Sequence, residues 1–228
     1  MFKVLILADI HGQSEFARRA VETNSDVDLV AIAGDITNFG GAEDVVYVLD
    51  SIRSALDTPP PIVAVPGNCD TLAARKALDA AGVNIEGLLI QFPSCFFAGS
   101  GGALRRAGIT SYERTEGQLA ESLASPLARL KTMDQSKPLV ILSHSPPYGT
   151  NADRHGEQHV GSESFASLLG SSAAAVWICG HIHESRCVSL EDGCLIVNPG
   201  PGSYGYYAIL EIKKGPDLRW QVRAFLSK

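Results

Sequence analysis

Three short apolar runs, residues 4–8, 29–33 and 62–65, each break off into a polar loop and are each followed by a stretch with helical spacing. The first ends in Asp9-Ile10-His11-Gly12, the second in Gly34-Asp35 and the third in Pro66-Gly67-Asn68-Cys69-Asp70. Strands alternating with helices in this way build a parallel sheet through right-handed crossovers. Polar residues gathered after the carboxyl ends of such strands occupy the place where open α/β sheets bind ligands. The expected helices cover residues 14–24, with Ser14 as N-cap, 42–56 and 71–81.

After Gly82 the rhythm changes. Residues 85–92 and 94–98 read as paired strands, 99–108 as a loop, and 116–133 as a helix containing Pro126. Two more strands, 139–142 and 174–179, lead into Ser143-His144 and Gly180-His181-Ile182-His183. The tail, 186–190, 194–197, 206–213 and 218–225, reads as consecutive antiparallel strands with turns at Glu191-Asp192-Gly193 and Lys214-Gly215-Pro216. No linker, repeat or low-complexity stretch interrupts the 228 residues, 45% of them hydrophobic. That supports one α/β domain, 1–228, of two packed mixed sheets with helices outside.

The five cysteines are scattered and include no C-x-x-C pair, which argues against a disulfide framework or a zinc knuckle and fits a reducing, cytoplasmic setting. A two-residue turn at Asp192-Gly193 places Glu191 opposite Cys194 and leaves Cys187 out of register, so both read as core thiols. The amino-terminal apolar run is too short for a signal-peptide core, and no run approaches the ~18 residues of a membrane span. With 19 basic and 25 acidic residues the formal charge is −6. An acidic chain has no footprint for non-specific nucleic acid or an anionic membrane, so an anionic ligand must be drawn by a local cation.

Seven side chains at the strand ends can ligate a metal: Asp9, His11, Asp35, Asn68, His144, His181 and His183. In D-x-H and H-x-H, residues two apart in an extended segment point the same way. Each fragment is common by chance, but four of the six histidines fall at these strand ends, which makes a shared site the stronger reading. Oxygen and imidazole donors without thiolate favour Mn²⁺, Fe²⁺ or Zn²⁺. Seven ligands exceed one tetrahedral ion but suit two ions ~3.5–4 Å apart that share a carboxylate, a centre fitted to displacement at phosphorus.

The order D-x-H, G-D, G-N, H, G-H-x-H, followed by Asn198-Pro199-Gly200, resembles the calcineurin-like metallophosphoesterases over nearly the whole chain. The resemblance implies a four-layer αββα sandwich with a dinuclear centre. It implies one metal held by Asp9, His11 and His183, the other by Asn68, His144 and His181, and Asp35 as the bridge. It further implies hydrolysis of a small phosphate ester by a metal-bridging hydroxide, with Asp35, Asn68 and His144 central to catalysis. In many members the residue after the G-N asparagine is histidine; here it is Cys69, in a Gly-Asn-Cys-Asp variant similar to that of the compact bacterial and archaeal phosphodiesterases.

That variant favours phosphodiesters and substrates that need no strong general acid, because a thiol is a weak donor. Cys69 could equally be packing. A phosphomonoesterase or nucleotidase is the alternative within enzymes, and a catalytically silent protein-binding scaffold the alternative outside them. Asp70 reads as N-cap of the helix at 71–81, or else as a residue that orients a metal ligand. The long loop 145–162 is a candidate recognition segment or a surface excursion, with Tyr148, Arg154, His155 and His159 as possible substrate contacts. Arg105 and Arg106 are candidate phosphate contacts, Gly99-Ser100-Gly101-Gly102 reads as a flexible turn, and Trp177 as a core residue.

Overall fold

In the computed structural model, which describes residues 1–105, 108–133 and 136–228, the chain forms two facing mixed sheets with helices on both outer sides. The first sheet takes β1 (Phe2–Leu7), β2 (Leu29–Ala33) and β3 (Ile62–Val65) in parallel, linked by α1 (Ser14–Thr23) and α2 (Ala42–Arg53) and followed by α3 (Leu72–Ala80). The second holds β4 (Leu89–Gln91) and β5 (Phe96–Ser100) at one edge. Next in the chain come two two-residue strands, β6 (Ala103–Leu104) and β7 (Glu113–Arg114), which form a separate ribbon, then α4 (Glu116–Leu130). β8 (Leu139–Ser143) follows, then a small hairpin of β9 (Arg154–His155) and β10 (Gln158–His159), α5 (Glu163–Leu169) and β11 (Val176–Ile178).

The carboxyl-terminal part supplies β12 (Cys187–Glu191), β13 (Cys194–Asn198), β14 (Ala208–Lys214) and β15 (Trp220–Leu226). Sheet orders are β15-β14-β1-β2-β3 and β12-β13-β11-β8-β5-β4.

The period of two along each strand explains the layers. Val4, Ile6, Leu29, Ala31, Val63 and Val65 face inward and meet Phe97, Val140, Leu142, Val176 and Ile178 of the opposite sheet. Their neighbours Leu5, Leu7, Val30, Ile32 and Ile62 face outward onto Val21, Val48, Leu49 and Leu78 of the first three helices. On the other side Phe96, Ile141, Trp177 and Ile196 pack against Leu119, Leu123 and Phe165 of α4 and α5. Strands covered on both faces must be apolar at every position, which is why they stand out as unbroken runs. Trp177 is fully buried and donates its indole N–H to Ser143 Oγ at 2.8 Å.

Several sequence expectations shift. Ser14 does not cap α1; it is the first helical residue, and Gln13 occupies the cap position without a side-chain hydrogen bond. Residues 85–92 do not form one strand, because 83–85 first bond to the edge of the other sheet through Ala64 N–H to Val83 O and Ile85 N–H to Ala64 O. Only Leu89–Gln91 then pairs with β5. Gly99 and Ser100 end β5 rather than belonging to a flexible turn.

The four tail strands are not consecutive neighbours. β12 and β13 belong to the second sheet, β14 and β15 to the first. Between them Pro199-Gly200-Pro201 cannot continue a ladder, since proline lacks the N–H. The chain instead crosses the top of the sandwich, with Gly202 N–H on Ala8 O at 2.7 Å and Ser203 N–H on Asp9 O at 3.0 Å. All five cysteines are free, and Glu191 lies opposite Cys194 with Cys187 opposite Asn198.

Candidate metal centre

Five strands, β1, β2, β3, β8 and β11, end at one rim of the sandwich, and the seven candidate ligands follow those ends. Asp9, His11, Asp35 and His181 all have left-handed backbones, with φ of 51°, 47°, 48° and 70°. Side chains with a Cβ rarely adopt this region, and such strain gathers at functional sites. Here it turns the chain sharply off each strand and aims the side chain back across the rim. The turns are cross-braced: Asp9 N–H donates to Gly34 O, His11 N–H to Asp35 O, and Gly180 N–H to His144 O, all at 2.9–3.0 Å.

Two glycines are needed for the close approach. A Cβ on Gly67 would lie 2.1 Å from Asp35 Oδ1, and one on Gly34 would lie 2.4 Å from His144 Nδ1.

The side chains form two clusters around Asp35. On one side Asp9 Oδ1 is 3.5 Å from His183 Nε2, and the His11 and His183 rings stand 5.5 Å apart, edge to face. On the other, His144 Nε2 is 2.9 Å from Asn68 Oδ1, and the His144 and His181 rings are 4.9 Å apart. Asp35 Oδ2 lies between, 3.8 Å from His11 Nε2 and 3.6 Å from His144 Nε2. Its Oδ1 accepts the Cys69 N–H at 2.7 Å, which leaves Oδ2 as the oxygen facing both clusters. Both Asp9 oxygens accept the His181 N–H, at 3.0 and 3.2 Å.

Electrostatics follow from this crowding. Burial opposes the charge on Asp9, but the hydrogen bond to His183 and the nearby His144 and His181 outweigh it and hold the carboxyl below its ordinary value. His183 is raised, first by its hydrogen bond to Asp9. His144 is fully buried, which disfavours its charge, yet Asp35 and Asp9 still raise it.

Two observations show that a cation fits. His144 Nδ1 donates to the Ala33 carbonyl at 2.8 Å, so the neutral ring turns its Nε2 lone pair toward Asn68 Oδ1, itself an acceptor. The buried His11 Nδ1 has no hydrogen-bond partner among the described residues.

Asp70 is not the N-cap of α3. Thr71 is, with its Oγ1 accepting the Ala74 N–H at 3.2 Å. The fully buried Asp70 carboxylate instead accepts from Gly67 N–H and Thr37 N–H at 2.8 Å, Thr37 Oγ1 at 2.9 Å and Ile36 N–H at 3.2 Å. It thereby ties the loop carrying Asp35 to the loop carrying Asn68, and its pKa is raised by burial and by Asp35. Cys69 is buried, accepts from Asn68 Nδ2 at 3.5 Å, and is pushed up by burial and by Asp35, so it stays a neutral thiol. Asn198 braces the far side, with Nδ2 donating to Ile182 O at 3.0 Å.

Four of the other proposed contacts, Tyr148, Arg154, His155 and His159, lie on the stretch between β8 and α5. His155 is bonded to Glu184 and His159 to Asp153, while exposed Arg154 holds Ser185 Oγ through its carbonyl. The β9–β10 hairpin is thus docked on the turn that carries His183. Tyr148 is 44% exposed and tilts over His159 at 5.6 Å. Arg105 is exposed, and Arg106 lies outside the described residues.

The sequence reading missed a cavity of about 270 Å³ beside Asn68 and His181, lined by Ala103, Leu104, Ile109, Thr110 and Glu113. Its walls come from the β6–β7 ribbon, whose two-residue strands have no periodicity to detect. The ribbon is anchored by Tyr112 N–H on Asn68 O at 3.0 Å.

The sequence profile of the family described as Calcineurin-like phosphoesterase matches residues 2–185. The chain belongs to the calcineurin-like phosphoesterases. An uncharacterised protein of Methanocaldococcus jannaschii is 31% identical over 210 residues, covering 90% of this chain and 91% of that one. Among solved structures, TT1561 of Thermus thermophilus superposes with a TM-score of 0.73 at 18% identity, over 97% of this chain and 98% of that one. A dimetal phosphatase from Danio rerio gives 0.65 at 15% identity over the same shares. At such identities the likeness is one of fold, and it matches the two mixed sheets with flanking helices described above. Among the described residues, Asp9, His11 and His183, His11, Asp35 and Cys69, and Asp9, Asp35 and His144 each bring three potential ligand atoms within 4.8 Å of one another, and no helix is long and apolar enough to cross a membrane.

Proposed function

We propose that the protein is a two-metal phosphoesterase that hydrolyses small phosphate diesters. Asp9, His11 and His183 would hold one divalent ion, Asn68, His144 and His181 the other, and Asp35 would be shared through Oδ2. The observation that carries this reading is the position of Oδ2, 3.8 Å from His11 Nε2 and 3.6 Å from His144 Nε2, imidazoles of opposite clusters. Oxygen and imidazole donors suit Mn²⁺, Fe²⁺ or Zn²⁺. A bound pair of such ions supplies an acidified water and neutralises charge on the phosphoryl oxygens.

The remaining work belongs to the protein. The Ala33 carbonyl fixes the His144 tautomer so that Nε2 is the ligating atom. Cys69 N–H holds Asp35 Oδ1, and the Cys69 thiol holds the Asn68 amide so that Oδ1 faces the site. Asp70 keeps the two loops in register. A neutral thiol where a stronger proton donor would assist departure leaves the alcohol to depart largely unaided, which favours diesters of acidic alcohols.

The test is hydrolysis of bis(4-nitrophenyl) phosphate by purified protein with Mn²⁺. Activity should vanish on chelation, return with metal, and be absent in Asp35→Ala and His144→Ala. Activity untouched by exhaustive chelation contradicts the reading. Faster turnover of 4-nitrophenyl phosphate would assign a monoesterase, and metal binding without turnover of any ester would assign a scaffold.

A further inference from the structure

The cavity beside Asn68 and His181 adjoins two of the proposed ligands of one ion, so a phosphoryl group held at the metal centre presents one of its substituents there. At about 270 Å³ it lies below the usual range of pockets for drug-sized ligands, which limits it to a group the size of a single ring. Its aliphatic lining is Ala103, Leu104 and Ile109: Ala103 is buried, Leu104 half-buried, and Ile109 80% exposed. A ligand that covered the Ile109 side chain would remove apolar surface from water and gain from doing so.

Its polar residues are Asn68 and His181 on the side of the candidate ligands and Thr110 and Glu113 on the side of the ribbon. The Glu113 carboxylate accepts from Gly108, Ile109 and Thr110 N–H at 2.8, 2.9 and 3.0 Å and from Thr110 Oγ1 at 3.1 Å. Those donors hold its pKa down to about 2, so it stays ionised. Its acceptor capacity is spent on the loop, but its negative charge remains. Arg105 is not among the residues lining the cavity.

We infer that this cavity is the subsite for one ester substituent, that it selects a small group with an apolar face and no negative charge, and that Leu104 and Ile109 set the preference for apolar surface. The inference rests on the phosphoesterase reading and adds the class of substituent. A second negative charge, as on an extra phosphate or a carboxylate, is disfavoured by the ionised Glu113.

Phosphonates test it by binding, without turnover. Calorimetry on Mn²⁺-loaded protein would compare inorganic phosphate, methylphosphonate, phenylphosphonate and 4-carboxyphenylphosphonate. Phenylphosphonate should bind on the order of tenfold more tightly than methylphosphonate, as expected for filling an apolar pocket. The carboxyphenyl compound should lose most of that gain. Ile109→Ser and Leu104→Ser should each reduce the phenyl-to-methyl ratio while leaving Mn²⁺ and methylphosphonate affinities unchanged; Ile109 is exposed enough to be replaced without disturbing the core.

Equal affinities for phenyl and methyl compounds, or a ratio untouched in both variants, would overturn the subsite alone. Failure of every compound, phosphate included, to bind would overturn the phosphoesterase reading and the subsite with it.

Discussion

His144 Nε2 and Asn68 Oδ1 face each other at 2.9 Å while His144 Nδ1 donates to the Ala33 carbonyl, so the buried ring has an acceptor at each nitrogen. Either a proton or a metal ion must occupy the Nε2 side. The two compete, and that competition gives the site a pH dependence of known sign.

In the metal-free protein His144 and His183 are both raised above 6.5. A raised imidazole contributes stability that is fully present below its unfolded pKa and is lost as pH rises through its folded pKa. Metal binding needs the deprotonated ring, so metal affinity rises with pH. The Tm of chelated protein should therefore fall as pH rises above about 6.5, the ordinary histidine value from which both groups are raised. The increase in Tm produced by Mn²⁺ should grow over the same interval. Calorimetry at stepped pH measures both, and a Mn²⁺ increment that shrinks with rising pH contradicts the competition.

Asp70→Asn removes a charge that receives four donors from two ligand-bearing loops. An amide replaces one acceptor oxygen with a donor that points at N–H groups. Residues that orient ligands in this way cost ~10–100-fold in metal affinity or activity when changed. Mn²⁺ titration should show a loss of that size while the far-ultraviolet spectrum is unchanged. If Asp70 braced the two loops without positioning the candidate ligands, metal affinity would not move.

Gly67→Ala and Gly12→Ala separate steric need from backbone strain. A methyl on Gly67 falls 2.2 Å from the Asp35 backbone nitrogen, so Asp35 has to move. Gly12 has a φ of +76° but nothing within 4 Å of its added carbon, and the cost there is the left-handed strain of roughly 1–2 kcal/mol. Thermal unfolding should show Gly12→Ala slightly destabilised with its Mn²⁺ response intact, and Gly67→Ala with that response lost.

The neutral Cys69 thiol predicts a steep dependence on leaving group. Across aryl diesters of increasing phenol pKa, log kcat should fall sharply, because little proton donation assists departure. A flat series would show that another acid serves the leaving oxygen.

Much of the fold was legible because β1, β2 and β3 are covered on both faces and therefore appear as unbroken apolar runs that stop where the loops begin. All seven candidate ligands could be named for the same reason: each follows such a run directly. The role of Asp70 was not legible, since an acid before a threonine and a helical stretch has the pattern of a cap, and only the folded loops show that Thr71 already fills that place. Nor were the left-handed turns at Asp9, His11, Asp35 and His181, because no local rule assigns such backbones to these residues. The β6–β7 ribbon and the crossing from β13 to β14 depend on contacts between distant segments, which leave no periodic trace.

Anomalous diffraction from crystals grown with Mn²⁺ tests the central claim most directly. The account predicts two peaks ~3.5–4 Å apart, one among Asp9, His11 and His183 and one among Asn68, His144 and His181, with Asp35 Oδ2 reaching both. No peak, or peaks away from Asp35, would contradict it.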